Sequence, residues 1–496
     1  MSAMHGNRFF GLLPAGLASV VLASAAALAA EPGPIPGREP GKVDAPLPAA
    51  PGPLRVCPEN PRYFADPAGK AVFLAGSHTW GNLADMGKTD PPPAFDFDAY
   101  LDFLVRHHHN FFRLWTWELP RNSAGERRDR WYVSPSPWAR TGPGPALDGK
   151  PRFDLTRFDP EYFGRLRDRT AAAGRRGIYV SVMLFEGYAL QFSPELWRWR
   201  ADPFHPENNV NGVDGDPDGT GKGLAIHTLA VPAVTRIQEA YVRKVVDTVG
   251  DLDNVLFEVC NEAGGYSTEW QYHMIRFVKE CEAARPKKHP VGMTVQYQGG
   301  SNRVLWESLA DWISPNSEAP GHDYRDDPPP ADGRKVVVSD TDHLWGVGGN
   351  PAWAWKSLCR GHNLLFMDPY RYDEVEHSFT DRTQPRWDPI REAMGRARLL
   401  AERMDLARAR PAGELASTGY CLAQPGSRYL VYLPQGGTAS VDLSAAPGRF
   451  SAEWYGPKTG ESRSAPPVEG GASRHFKPPF EGDAVLFIAA HAPGGS

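Results

Sequence analysis

Two glutamates stand in and directly after an apolar run near the middle of the chain. The run reads N-V-L-F-E-V-C-N-E from Asn254 to Glu262, with Glu258 inside it. Strand alternation would place Glu258, Cys260 and Glu262 on one face, so that the first carboxyl lies within a barrel and the last emerges at its rim. A carboxyl that aromatic walls partly remove from water has a raised pKa and can donate a proton to a leaving oxygen. We therefore predict that Glu262 is a general acid; the alternative is a surface glutamate that begins a loop.

Recurring apolar runs predict the element that would position these carboxyls. Eight such runs lie between residues 55 and 405, separated by helical or loop-rich segments, and this alternation is typical of βα units with a parallel sheet. Eight parallel strands predict an α/β fold, a closed (β/α)8 TIM barrel. The runs lie at 72–76, 111–115, 178–184, 255–260, 291–295, 312–314, 336–339 and 364–367. Helices are predicted at 97–107, 158–174, 232–249, 268–284 and 389–405.

Polar and aromatic residues follow the predicted strands, at the end where this fold carries its chemistry. Two insertions, at 121–152 and 192–223, are longer than ordinary βα loops and are predicted to wall a substrate cleft. The residues after the strands are His78 and Trp80, Trp117 and Glu118, Glu186, Asn261 and Glu262, Glu318, Asp340 and Asp342, and Asp368 and Tyr370.

The two ends of the chain differ in composition from this central part. Arg8 precedes an apolar run at 9–30 that ends in small residues, which predicts an export signal; a transmembrane anchor is the alternative, because the run approaches the length of a span. Short strands with Gly and Pro turns near the other end predict a small antiparallel β-sandwich. The predicted domains are a signal peptide (1–30), a Pro/Gly/Ala-rich linker (31–54), a catalytic barrel (55–408) and a β-sandwich module (409–496).

Bulk composition excludes some classes of function. The chain has 496 residues, is 41% hydrophobic and carries a formal net charge of -5, which allows a large core and argues against a nucleic-acid-binding surface. Its 15 Trp and 17 Tyr residues suit the apolar faces of sugar rings. The 5 cysteines show no metal-ligand spacing, and an odd number leaves at least one thiol unpaired. We expect a secreted or periplasmic protein without a cofactor, a resident metal or stable membrane insertion after signal cleavage.

One acidic loop leaves a calcium alternative open. The loop reads D-G-D-P-D-G at 214–219, which begins like an EF-hand. The twelfth position, Ala225, lacks the carboxylate that would bind calcium through both oxygens.

The segment F-E-V-C-N-E resembles the fourth-strand motif of clan A retaining glycoside hydrolases. In that motif the glutamate after the asparagine is the acid/base, and the asparagine contacts the sugar hydroxyl beside the scissile bond; Glu262 and Asn261 take these positions. Arg113, in N-F-F-R-L-W on the second predicted strand, matches the clan arginine that orients the nucleophile. The alternative for Arg113 is an ion pair at the barrel mouth.

This resemblance implies a second carboxylate at the end of the seventh strand. The clan has a glutamate there, whereas this chain has Asp340 followed by Asp342. Retention requires two carboxyls about 5 Å apart, and inversion about 6.5 to 9.5 Å. Residues 340 and 342 would face the same way on an extended strand, so alternation does not choose between them. Glu318 is a further candidate, and Asp340 could instead only cap the strand.

A wider resemblance covers most of residues 56–490. Residues 62–80 are similar to the opening hairpin and first strand of apiosidase-like barrels, and residues 429–460, ending W-Y-G-P-K-T-G, resemble a collagen-binding-type C-terminal module. A sandwich that only supports the barrel is the alternative to collagen binding.

Together these features predict hydrolysis of glycosidic bonds in a polysaccharide or oligosaccharide, with retention as the expected outcome. The alternatives are a catalytically silent carbohydrate-binding barrel and a lyase-type acid/base enzyme, because fold alone does not determine chemistry. The predicted catalytic residues are Glu262, Asp340 and Asp342, and the predicted substrate-binding residues are Asn261, Arg113, His78, Trp80, Glu186, Glu318, His343, Trp345, Asp368 and Tyr370.

Overall fold

The computed structural model describes residues 49–124, 129–193, 198–318, 323–373 and 378–491. The predicted signal peptide and most of the predicted linker lie outside these residues. No helix within the described ranges is long and apolar enough to cross a membrane.

Eight parallel strands close into a barrel, which confirms the predicted fold. The first strand begins later than predicted, because Ala71–Val72 instead pairs antiparallel with Phe64–Ala65 in a small sheet before the barrel. The barrel strands are β1 (Ala75–His78), β2 (Phe111–Leu114), β3 (Tyr179–Glu186), β4 (Val255–Asn261), β5 (Val291–Thr294), β6 (Trp312–Ser314), β7 (Val336–Asp340) and β8 (Asn363–Met367).

Helices alternate with these strands and begin at recognisable signals. Asp96 accepts a hydrogen bond from the Ala99 N–H at the start of α1, and Asp159 caps α2 directly before Pro160. The helices are α1 (Phe97–Arg106), α2 (Pro160–Arg175), α3 (Pro232–Val249), α4 (Thr268–Glu282), α5 (Asn302–Glu307), α6 (Pro351–Cys359) and α7 (Asp388–Ala401). Short helical segments also occur at Ala189–Phe192, Arg198–Ala201, Leu224–His227, Gly265–Ser267, Thr341–Leu344, Pro385–Trp387 and Gly413–Leu415.

Additional short strands decorate the barrel. The first insertion supplies two strands of a three-stranded sheet and most of a separate hairpin. The three-stranded sheet contains Asp85–Gly87, Arg121–Ala124 and Asp129–Ser134, the hairpin Trp138–Pro145 and Pro151–Phe158, the N-terminal sheet Arg55–Val56, Phe64–Ala65 and Ala71–Val72, and a last pair Tyr372–Asp373 and Ser378–Phe379.

The barrel interior has an apolar floor below a polar layer. Trp312 fills much of the floor, together with buried residues such as Phe64 and Phe111. A Cβ atom added at Gly292 would lie 1.9 Å from the Trp312 ring, so the indole requires glycine on the neighbouring strand. The polar layer above the floor contains Arg113 and Glu258, both fully buried.

The C-terminal region forms an antiparallel β-sandwich, as predicted. A six-stranded sheet has the order β9-β10-β11-β16-β13-β14, and β12 pairs with β15 in a second layer. The strands are β9 (Arg410–Pro411), β10 (Cys421–Gln424), β11 (Arg428–Leu433), β12 (Ala439–Asp442), β13 (Arg449–Tyr455), β14 (Ser462–Glu469), β15 (Ser473–Phe476) and β16 (Ala484–Ala490).

The six-stranded sheet packs against the barrel on its other face. Trp355 of α6 stacks on Tyr432 of β11, with ring centroids 6.2 Å apart. Arg403 pairs with Glu453 of β13 at 2.6 Å. The five cysteines are free thiols, so no disulfide contributes to either domain.

Candidate active site

Glu262 lies at the mouth of β4 on an unusual backbone. β4 ends at Asn261, and Glu262 has a φ of +46°, a conformation that few residues with side chains adopt and that is often found at functional sites. The Gln191 side-chain amide donates to the Glu262 carbonyl at 2.6 Å. The predicted strand alternation through Glu262 is therefore wrong, because the chain turns one residue earlier. The carboxyl nevertheless lies at the predicted rim, with the residue 3% exposed.

A cleft of about 810 Å³ opens at this end of the barrel. Its acidic lining residues are Glu186, Glu262 and Asp342, and its cationic lining residue is Arg198. Arg198 and Trp131 come from the two insertions, which therefore contribute to the wall. Aromatic residues make up much of the remaining lining: Trp80, Trp115, Trp117, Trp131, Tyr188 and Tyr372.

Arg113 lies beneath the cleft and contacts carboxylates from two strands and the turn that follows the second. Its Nε donates to Glu258 Oε2 at 2.8 Å, its Nη2 lies 2.7 Å from Asp340 Oδ2, and its Nη1 lies 3.6 Å from Asp342 Oδ2. Burial alone would lower the pKa of Arg113, but Glu258 and then Asp340 raise it above its usual range. The guanidinium is thus a permanent charge held under the cleft floor.

Asp340 lies below the cleft, whereas Asp342 lines it. Asp340 is 0% exposed, and its Oδ1 accepts the Asp342 N–H at 2.9 Å, capping the helical turn Thr341–Leu344. Burial would raise the pKa of Asp340, but Arg113 outweighs burial and holds the pKa well below its usual range. The expectation that residues 340 and 342 share one face of a strand is wrong, because the chain enters a helical turn at Thr341.

Two histidines complete the buried layer. His78 Nε2 lies 3.4 Å from Asp340 Oδ1, and the imidazole stacks on Trp115 with ring centroids 5.3 Å apart. Burial, and then the nearby Arg113, lower the pKa of His78, which favours a neutral ring. His343 shares a 2.8 Å hydrogen bond with the Ser314 hydroxyl. His78 thus supports Asp340, and neither histidine lines the cleft.

The arrangement around Arg113 bears on metal binding. Asp340, Asp342 and His343 offer ligand atoms within 4.8 Å of one another among the described residues. The carboxylates that a cation would bind already face the Arg113 guanidinium, so we expect no resident metal there.

In the acidic loop at 214–219, the Asp216 carboxylate accepts hydrogen bonds from the Thr220 hydroxyl and the Gly221 N–H, both at 2.6 Å. Protein donors thus already bind the carboxylate that calcium would need.

Besides Arg113, His78 and His343, four further predicted substrate-binding residues lie outside the cleft lining. Glu318 is exposed and accepts a hydrogen bond from the Asn302 N–H at the start of α5. Trp345 packs edge-on against Trp353, with ring centroids 6.0 Å apart. Tyr370 is 1% exposed and packs among other aromatic rings. The fourth, Asp368, is buried in an ion pair.

Asp368 joins the end of β8 to α7. Its Oδ2 accepts from Arg391 Nε at 2.8 Å and its Oδ1 from Arg391 Nη2 at 2.5 Å, with both side chains fully buried. This bidentate pair is structural, because neither residue lines the cleft.

Replacing Arg391 with methionine is expected to lower the free energy of unfolding by about 3–5 kcal/mol, because Asp368 would remain as an uncompensated buried charge. Denaturant titration measures the loss. Arg408→Met is the matched control, since Arg408 is 74% exposed and 3.8 Å from Asp405, and should cost no more than about 1 kcal/mol. Equal stability of the two variants would contradict the structural role.

Several cleft residues were not among the predicted site residues. Trp115 and Trp117 follow Arg113 closely along the chain, so their position after β2 was an available signal. Tyr188, Arg198 and Tyr372 come from short segments that connect the barrel strands to the helices, where no regular spacing marks the residues that turn inward. The predicted site residues that do line the cleft are Trp80, Glu186, Asn261, Glu262 and Asp342.

Comparison with known proteins places the fold. Residues 413–488 match the protein family described as "Putative collagen-binding domain of a collagenase". No curated protein matches the sequence. A glycoside hydrolase family 5 structure from Bacteroides vulgatus has 14% sequence identity and a TM-score of 0.59, over 90% of this chain and 95% of that one. A second structure, named glycoside hydrolase, has 13% identity and a TM-score of 0.57, over 89% of this chain and 98% of that one. The chain therefore has the fold of (β/α)8-barrel glycoside hydrolases, followed by a module of the collagen-binding-domain type.

Proposed function

We propose that this protein is a glycoside hydrolase that cleaves with retention, using Glu262 as the acid/base and Asp342 as the nucleophile. The observation that carries the proposal is that both carboxyls line one aromatic cleft at the C-terminal end of the barrel. Tyr188 lines the same cleft, and both carboxylates influence the pKa of its phenol. Burial raises this pKa most, the charge of Glu262 makes the next largest contribution, and Asp342 adds to it. Both carboxylates thus interact electrostatically with the same side chain.

The proposed reaction has two steps. In the first, an Asp342 carboxylate oxygen bonds to the anomeric carbon while Glu262 gives its proton to the departing glycosidic oxygen, and the glycosidic bond breaks. In the second, Glu262 takes a proton from water, the water oxygen bonds to the anomeric carbon, and the ester to Asp342 breaks. Glu262 is then protonated again and Asp342 is again a carboxylate.

The surrounding residues support these roles. Arg113 stays charged and holds Asp340 directly below, so its field favours an ionised carboxylate at Asp342. Asn261 Oδ1 is buried without a hydrogen-bond partner in the described ranges, and Asn261 lines the cleft beside Glu262. A sugar hydroxyl would satisfy that oxygen. The tryptophans would stack on the apolar faces of sugar rings.

Analysis of the first products tests the proposal. The full chain is incubated with a panel of oligosaccharides and polysaccharides, and proton NMR identifies the anomer that forms before mutarotation. We expect one water added per bond cleaved and an anomer of unchanged configuration. An unsaturated sugar would indicate a lyase, an inverted anomer would exclude Asp342 as nucleophile, and binding without cleavage of any substrate would favour the silent carbohydrate-binding barrel.

We further propose export to the periplasm or the medium, on the pattern of Arg8 and the apolar run at 9–30. The mass of protein recovered outside the cytoplasm should lack this segment. Recovery of the intact chain only from the cytoplasm would end this part of the proposal.

A further inference from the structure

A second pair of carboxyls lies beside the cleft, one in the segment that follows β2 and one at the end of β3. Glu186 is the last residue of β3, and its N–H approaches the two Glu118 carboxylate oxygens at 3.2 and 3.3 Å. Glu186 pairs in register with Asn261, the residue before Glu262. Glu118 is 7% exposed and Glu186 5% exposed, and Glu186 lines the cleft. The retaining reaction proposed above uses neither of them.

The groups around Glu186 set the pKa of its carboxyl. Its carboxylate accepts the N–H groups of Tyr188 at 2.9 Å and Ala189 at 3.2 Å. Burial raises the pKa of Glu186 to about 7; these two hydrogen bonds and Arg198 lower it, and Asp342 raises it. Burial, and then the charge of Glu186, raise the pKa of Glu118 well above its usual range. Glu186 therefore titrates near neutral pH.

Asp202 is the remaining acidic neighbour. Burial raises its pKa to about 7, and its charge contributes to the raised pKa of Glu118. Asp202 does not line the cleft.

A structural role alone does not require a carboxyl at position 186. The turn after β3 needs only an oxygen that accepts two N–H groups, and a glutamine amide oxygen would serve without the cost of burying an ionisable group. A carboxylate accepts about four hydrogen bonds, so the two backbone donors leave acceptor capacity at the cleft surface. Adjacent ring hydroxyls of a sugar match that capacity. An anionic sugar would meet Glu186, Glu262 and Asp342 in the same cleft.

We propose that Glu186 binds neighbouring hydroxyls of a neutral sugar ring, and that Glu118 holds the end of β3 in place by accepting the Glu186 N–H. The proposal rests on the proposed function only for the class of ligand. Because hydroxyls donate to the ionised carboxylate, sugar affinity should increase as pH rises through about 7. Glu186 is then a substrate-binding group, and Glu118 a positioning residue that acts through it.

Titration calorimetry tests this without requiring turnover. Neutral monosaccharides, and their uronates as anionic counterparts, are titrated into the full chain at about pH 6 and about pH 8, either side of the expected transition. We expect a neutral sugar to bind more tightly at the higher pH and the uronate to bind more weakly than its neutral counterpart. Glu186→Gln should weaken neutral-sugar binding about tenfold at the higher pH, a loss that corresponds to about 1.4 kcal/mol. The same variant should also remove the pH dependence of binding.

Two further variants separate this from a structural role. Glu118→Gln should keep both the affinity and the pH of the transition, because the glutamine amide oxygen can still accept the Glu186 N–H. Glu318→Gln is the matched control, since Glu318 also accepts a backbone N–H but lies outside the cleft, and it should bind sugar like the wild type.

The outcomes are distinct from those that test hydrolysis. Unchanged binding and pH dependence in Glu186→Gln, or the absence of binding by any neutral sugar, overturns the inference. A wild-type chain that binds sugar in a Glu186-dependent manner but cleaves nothing overturns the proposed hydrolysis and leaves this inference standing.

Discussion

Glu262→Gln is expected to lower turnover of a substrate with a poor leaving group by about 10² to 10⁴-fold, because the departing alkoxide would leave without a proton. Glutamine has nearly the same size as glutamate. Position 262 already holds a residue with a side chain in the left-handed conformation, so the substitution should not disturb the backbone. An aryl glycoside with an acidic phenol needs no such proton. Its first step should therefore proceed in the variant far closer to the wild-type rate.

The measurement compares the rate of the first step for the two substrates in one preparation, because the second step also needs Glu262 as a base; for the aryl glycoside this step is followed as a burst of phenol. Glu307→Gln is the control, because Glu307 is a half-exposed partner of Arg303 on α5, far from the cleft lining. Equal losses for the poor and the good leaving group would argue against a general acid. Near-normal turnover of the poor leaving group would remove Glu262 from the mechanism.

Substitutions of Asp340, at the end of β7, and of Asp342, just after it, should have different effects. Asp342→Asn should reduce turnover on the order of 10⁴-fold or more while leaving the free energy of unfolding near the wild-type value, because the nucleophile is lost from the cleft surface. Asp340→Asn breaks a fully buried ion pair with Arg113 and should cost about 3–5 kcal/mol of stability. Denaturant titration and turnover, measured on both variants, separate the two effects.

A fluorinated glycoside that forms a slow covalent intermediate provides a direct second measurement. Peptide mass mapping after inactivation should find the sugar on Asp342. Label on Asp340 would reverse the assignment and show that the buried carboxylate becomes accessible during the reaction. Full activity of Asp342→Asn would exclude Asp342 as the nucleophile on independent grounds.

The barrel could be predicted from sequence because each of its strands is a short apolar run, and buried parallel strands require that pattern. Helix positions followed for a similar reason, because apolar residues at helical spacing mark them; α2 begins at Pro160, two residues after its predicted start. The C-terminal sandwich was also marked by alternation and by Gly and Pro turns. In all these cases the information is carried by residues that are neighbours in the sequence.

The site could be predicted only in part, because its geometry depends on where strands stop. Alternation continued through Glu262 and Asp342 would be correct if β4 and β7 extended that far. Instead, a left-handed residue ends one strand and a helical turn ends the other. The hydrogen bond from the Glu186 N–H to Glu118 joins the end of β3 to the segment after β2. No spacing along the chain indicates that contact.

The junction between barrel and module limits what the C-terminal domain can recognise. Leu430, Tyr432 and Phe487 belong to the same continuous apolar core as Trp355 of the barrel. The opposite face of that sheet is covered by β12 and β15. The central strands β10, β11 and β16 are thus largely buried on both faces, whereas β14 at the edge is exposed. A fibrous or polymeric ligand would therefore have to approach this edge, the outer layer or the loops, because the centre of the sheet is already occupied by its packing against the barrel.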